Sequence, residues 1–346
     1  MKFPFALFLA VLALAGCGGT AAPAPSAPPS SAAPSAAAAA RLSGMPKLVL
    51  GHSQITGNAL AAWSAEQGEY FKKNGVDVDE QLMSGGTKTV AALLAGQIQI
   101  AEVGGSEVIG AAAEGADLVI TAVVSPVYPY KMEVEPSIKA PADLKGKKLG
   151  IATTGGSADI AGRVVMRKNG IDPDKDVSTI TLGDSQTRLA ALLSGSIQAA
   201  MTDPPGTLQV EEQGFHPLWD LTELKLPACQ ATIVAQRAWI NSNKATMQAV
   251  VDSLVQATAR TKKDRAFGES VLKSHLKLDD PKALDYTYNF YALNVVPALP
   301  YPKPEHFADA LDEVAKRNEK AKGFQIGKIL DDSFVRSAAE RGLDKG

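Results

Sequence analysis

Six short loops hold the groups that could capture a small molecule: His52–Asn58, Ser84–Thr87, Gly104–Ser106, Thr153–Asp159, Gly183–Thr187 and Thr202–Pro205. Each follows an apolar run that reads as a strand and opens a segment that reads as a helix. The first turn of a helix carries N–H groups without intrahelical partners, and its dipole makes that end electropositive. Ser and Thr hydroxyls add donors, and Gly lets a ligand approach the backbone. Non-covalent capture of a polar or anionic group is the chemistry such loops offer. The same residue types also cap helices without touching any ligand. One loop alone therefore means little, and six in equivalent places mean more.

Other reactive side chains read more plainly. His52 could serve as a base, but a pocket hydrogen-bonding or surface role fits a lone His better. Trp63 shares helical spacing with Leu60, Gln67 and Tyr70, which points to core packing. Glu102 interrupts the apolar Ile98–Val103 run; it either binds a ligand amine or pairs with a nearby Lys. Asp203 precedes two prolines and is either a turn residue or a second acceptor. Tyr128 and Tyr130 line a cleft or simply build a hinge. Arg163 and Arg188 fall within helices and are expected in solvent, so no arginine clamp for a dianion is expected. Walker, HExxH, GxSxG and CxxC patterns are absent, and the Gly-rich turns do not match GxGxxG. No nucleophile-and-base pair emerges. With four His and two Cys, neither a multi-histidine metal centre nor a disulfide framework is expected, and no cofactor is.

The elements that position these loops occur twice. Thr87–Ala101 (TKTVAALLAGQIQIA) and Gln186–Ala200 (QTRLAALLSGSIQAA) share eight of fifteen residues. Lys72–Asp79 (KKNGVDVD) matches Arg167–Asp174 (RKNGIDPD), and Lys47–Leu50 (KLVL) matches Lys148–Ile151 (KLGI), in the same order. Each copy reads strand, loop, helix (about 58–74 and 159–169), strand, loop, AALL helix, strand, loop. Alternating strands and helices predict a parallel sheet covered on both faces. Ligands of such sheets bind beyond the carboxyl ends of the strands, where all the loops fall. Val119–Val134 and Cys229–Ala238 read as connections between two lobes, so 45–127 and 232–346 would form lobe 1 and 128–231 lobe 2. The helical segments 245–262, 282–293, 304–320 and 332–341 would pack along lobe 1. Cys229, in an apolar stretch, reads as a buried small hydrophobe.

Across the 346 residues, 35 Lys plus Arg oppose 37 Asp plus Glu, which argues against a dedicated nucleic-acid binder. Apolar residues reach 45%, enough for a globular core. Residues 1–16 read as an export signal: Lys2, then the apolar Phe3–Ala15, too short to span a bilayer. The run ends in Leu14-Ala15-Gly16-Cys17, which resembles a bacterial lipobox and predicts lipidation at Cys17. The following segment, 17–44, is Ala, Pro and Ser-rich and is expected to be a disordered tether. An exported protein anchored by lipid at the outer face of the cytoplasmic membrane, and monomeric, is the expectation.

Three stretches, SGGTKTVAALLAGQIQIAEVGG, PADLKGKKLGIATTGGSADIAGRVVMRKNGIDPDKDV and LAALLSGSIQAAMTDPP, resemble the nitrate/sulfonate/taurine-type solute-binding proteins and the thiamine-precursor binders related to them. The resemblance runs from about Pro46 to Trp239. It implies a two-lobed type II periplasmic-binding α/β fold and the permease and ATPase subunits of an ABC importer as partners. It carries ligand contacts onto Ser53, Gln54, Ser84, Gly85, Ser106, Thr153, Thr154, Gly156, Ser157, Asp184 and Asp203. Thr56, Asn58, Thr87, Gly105 and Tyr128 join them by loop position. Glu102 and Asp203 are acidic where the family more usually has small residues. The cysteine-rich motif of the related pyrimidine-synthesising enzymes is absent, which favours a binder over an enzyme. The expected solute is a small organic anion of sulfonate, nitrate or carboxylate type. The alternatives are an aromatic or amine-bearing metabolite, or a tethered enzyme or sensor on the same scaffold.

Overall fold

A computed structural model describes residues 44–346. The expected signal segment, Cys17 and the tether as far as Ser43 lie outside the described residues. The first half runs β1 (Lys47–His52), a 3-10 turn (Gly57–Ala59), α1 (Leu60–Gln67), α2 (Tyr70–Lys73), β2 (Asp77–Leu82), α3 (Gly86–Leu94), β3 (Ile100–Val103), α4 (Gly105–Ala113) and β4 (Leu118–Val127). The single helix expected over 58–74 is broken at Gly68–Glu69. Glu69 adopts a left-handed φ of 57°, and a Cβ on Gly68 would come 2.6 Å from the Tyr70 ring.

The second half contains β5 (Lys131–Val134), β6 (Lys148–Ile151), α5 (Ser157–Lys168), β7 (Ser178–Thr181), α6 (Ser185–Leu193), β8 (Ala199–Thr202), α7 (Gly206–Glu211) and β9 (His216–Asp220). The chain then returns through β10 (Pro227–Gln236) to α8 (Arg237–Ser242), α9 (Lys244–Lys263), α10 (Arg265–Leu276), α11 (Pro281–Tyr288), α12 (Ala308–Ala315) and α13 (Ser333–Glu340). A π-helical stretch, Asn289–Val295, extends α11.

Two five-stranded sheets result, ordered β2-β1-β3-β10-β4 and β7-β6-β8-β5-β9. Four strands of each run one way; the fifth, β10 or β5, is antiparallel to both its neighbours. This is the mostly parallel α/β architecture expected. Helices α3 and α6, and strands β3 and β8, stand 99 residues apart. Gly51 and Gly150 obey the same offset, and a Cβ on either would come 2.5 Å from the equivalent Ile98 or Ile197. Matching KLVL with KLGI is therefore out of step by two residues. A shift of two keeps every side chain on its face, which is why the false match looks convincing.

The sheets are joined twice, through Tyr128–Tyr130 and through residues 221–226. Cys229–Ala238, expected as the second connection, lies mostly within β10 of the first sheet, so the return precedes residue 227 rather than falling at 232. That run is apolar because its strand is buried, and Cys229 sits in the core at 4% exposure. The C-terminal helices pack on lobe 1, but α12 contacts both α4 of the first lobe and α5 of the second, and Lys282 of α11 reaches Glu212 of the second lobe at 2.6 Å.

Candidate functional site

The loops at the carboxyl ends of the strands surround a cleft of about 510 Å³ between the lobes. Ser53, Gln54, Thr56, Ser84 and Gly85 line it from the first lobe and Thr153, Asp184 and Asp203 from the second. Ile55, Leu82, Pro204, Pro205 and Leu276 give it an apolar share, and His275 reaches it from the end of α10. Among the described residues, no Lys or Arg side chain lines it.

The other predicted residues lie elsewhere. Asn58 is buried, and its side-chain amide donates to Thr56 Oγ1 at 2.9 Å. Thr87, Ser106 and Thr154 open onto a second cavity of about 350 Å³. Gly105 is pressed against Cys229, where a Cβ would come 2.5 Å from Sγ. Ser157 faces Glu107 instead of the cleft, and a Cβ on Gly156 would come 2.5 Å from Thr153 Oγ1. Tyr128 is not a cleft residue: the crossover runs through the core and buries it at 2% exposure. Tyr130 is buried as well, its hydroxyl accepting from Gln230 Nε2 at 2.6 Å.

His52 and Glu102 are register partners on β1 and β3, and Glu80 stands on β2 beside them. His52 Nε2 lies 2.7 Å from Glu80 Oε2, and Nδ1 lies 3.4 Å from Glu102 Oε2. Burial opposes charge on the imidazole, but the two carboxylates overcome it and push its pKa up to about 10. Glu102 thus lies outside the cleft lining and faces His52 rather than a Lys. Trp63 packs in the core as expected and stacks on His275, with ring centroids 4.7 Å apart. Among the described residues, no group of three or more His, Cys, Asp or Glu is placed to hold a metal ion.

Arg188 and Arg163 are buried, contrary to expectation. Arg188 is 1% exposed because polar loop ends of the second sheet enclose it. It donates to Gly183 O at 2.7 Å, Ser185 Oγ at 3.0 Å and Met201 O at 3.3 Å. Arg163 is held by Asp159, 2.8 Å away, and by Asp174. Behind the cleft, Asp203 accepts from Ser185 Oγ at 3.3 Å and from the Tyr291 hydroxyl at 3.0 Å. Burial raises the Asp203 carboxyl, while Arg188 and these donors hold it down. Tyr291 comes from the π-helical stretch and so ties the first lobe to the second. Its ring lies where a Cβ on Gly57 would stand. Sequence reasoning missed Arg188, Tyr291, His275 and Glu107. For Arg188 a signal existed: it sits four residues before Leu192, on the apolar face of α6.

A crevice between two duplicated lobes, each built on a sheet of this strand order, defines the class of type II periplasmic-binding folds. The family described as NMT1/THI5 like matches residues 57–265, and the chain belongs to it. YtlA of Bacillus subtilis, named as a binding protein, is 28% identical over 53% of this chain and 56% of its own. A protein of Brucella abortus, also named as a binding protein, is 32% identical over 42% of this chain and 43% of its own. The chain therefore spans about half the length of these relatives. Among solved structures, the alkanesulfonate-binding protein SsuA of Xanthomonas axonopodis, bound to MOPS, superposes with a TM-score of 0.67 at 20% identity, covering 85% of this chain and 98% of that one. The periplasmic nitrate-binding protein NrtA of Synechocystis does so with a TM-score of 0.71 at 16% identity, covering 86% and 89%. The chain shares the fold of these binding proteins.

Proposed function

We propose that this chain is an extracytoplasmic receptor that captures a small organic solute between its lobes, closes on it by hinge bending, and delivers it to ABC permease and ATPase subunits. The single observation that carries this reading is the cleft of about 510 Å³, lined by equivalent loops of both halves. Such a volume suits an organic molecule, within the roughly 300–1,000 Å³ typical of ligand pockets, and far exceeds what nitrate needs. Two thin crossovers, at 128–130 and 221–226, supply the hinge. The leader and Cys17 support export and a lipid anchor; Cys17→Ala should abolish detergent-phase partitioning.

Two solute chemistries have support. The start of α3 favours an organic anion, because Gly85 caps it without a side-chain bond and lies in the cleft lining beside Ser84. Asp184, Asp203 and the lack of lining cations favour an amine-bearing or uncharged solute. Native mass spectrometry of the freshly purified protein should find a bound small molecule that leaves unchanged on denaturation. Adding it back at about 100 times its Kd should stabilise the fold by about 2.7 kcal/mol. A melting temperature that ignores sulfonates, carboxylates, pyrimidines and amines alike would refute the receptor reading.

A further inference from the structure

Three helices of at least nine residues point their N-termini at one spot between the lobes: α3 and α4 from the first, α5 from the second. The carboxylate of Glu107 occupies it. Its Oε2 accepts from Ser106 Oγ at 2.7 Å, and Ser157 Oγ lies 3.5 Å from the same oxygen. Two glycines make room for it. A Cβ on Gly86, at the start of α3, would overlap Oε1, and one on Gly104, before α4, would come 2.5 Å from Oε2. None of the three helices has a side-chain bond from its own N-cap residue. Converging helix starts and dipoles favour an acidic group here, and the chain supplies one itself: burial raises the Glu107 carboxyl, while the Ser106 and Ser157 hydroxyls hold it down. Glu107 also borders the second cavity, while Gly86 and Thr153 beside it border the cleft.

We propose that the Glu107 carboxyl group fills the junction where a ligand oxyanion would otherwise dock, so that the receptor rejects plain oxyanions and takes a solute that presents an uncharged or cationic group there. This rests on the receptor reading and narrows its solute class. The acidic side chains of the cleft and its lack of lining cations point the same way. Because Ser157 belongs to the second lobe, Glu107 also links the two halves.

Isothermal titration of methanesulfonate, with sodium sulfate and nitrate as companions, into wild type, Glu107→Ala and Glu107→Gln provides the test. Wild type and Glu107→Gln should show no binding. Glu107→Ala should bind methanesulfonate at least about tenfold more tightly than wild type, a gain of about 1.4 kcal/mol. Acetate, which replaces the lost carboxylate, should compete. Methanesulfonate binding to wild type as tight as to the variant would overturn the proposal, as would a folded Glu107→Ala that gains nothing. If Glu107→Ala does not fold, Glu107→Ser replaces it under the same criteria, and the wild-type measurement still decides. The receptor reading fails differently, through a wild type that responds to no solute at all.

Discussion

At the start of α3, Gly85 adopts a φ of 125° and caps the helix with no side-chain bond. Ninety-nine residues later Asp184 caps α6, accepting the Thr187 N–H at 2.9 Å. Further along the same helices, Thr89 and Arg188 occupy matching positions. Thr89 merely returns a hydrogen bond to Gly85 O at 2.9 Å. Arg188 reaches past its helix to two strand-end carbonyls and a serine. The duplicated frame is thus conserved within the molecule while its loop ends diverge. One lobe starts its α3 without a side-chain cap. The other satisfies its own polar groups and turns carboxylates toward the cleft.

The largest effect should come from removing what braces the second lobe. Arg188→Ala leaves the Asp203 carboxylate without its cation and two carbonyls without donors, and should cost about 3–5 kcal/mol in urea unfolding. Thr89→Ala should cost about 1 kcal/mol. Equal losses would erase the contrast.

A buried titration sharpens it from the other side. The His52 pKa rises from 6.5 in the unfolded chain to about 10 in the fold. Its stabilisation is complete below pH 6.5 and is lost as pH climbs through 10. Glu80, whose carboxyl burial raises, adds to the fall from the acid side. Stability should drop by a few kcal/mol, on the order of 1.4 per pKa unit, between about pH 7 and 10. His52→Gln should flatten that slope in denaturation curves; an unchanged slope would place its origin elsewhere.

The smallest effects concern the two caps. No atom lies within 4 Å of a Cβ at Gly85, so Gly85→Ala carries backbone strain alone, about 1–2 kcal/mol. Asp184→Ala should cost about 1 kcal/mol. Hydrogen exchange should localise each loss to the start of its own helix. If the Gly85 variant also weakens solute binding more than the Asp184 variant, the open cap is the one that holds the solute.

Much of the scaffold could be read in advance because a repeat of apolar spacing records it: the AALL helices and the strands after them lie where the motif places them. Strand β10 misled because an apolar run carries no mark of which sheet buries it. The loops were legible as a set, but not which of their residues face the gap. Ser106 and Ser157 have the expected types and turn instead toward Glu107. An acidic residue in a first helical turn looks like ordinary dipole compensation, and nothing local says that two other helices converge on it. Arg188 looked solvated because charge outweighs position in a quick reading, although its place on the apolar face said otherwise.

Helix α12 is fastened to both halves. Glu313 binds Arg167 at 2.8 Å, Asp309 faces Lys168 at 3.5 Å, and just beyond the helix Arg317 meets Asp159 at 2.9 Å. A splint of this kind keeps one edge of the molecule shut like the spine of a book. Any swing of the covers would then part them on the opposite margin, and raised ionic strength, by loosening the stitching, would widen the swing.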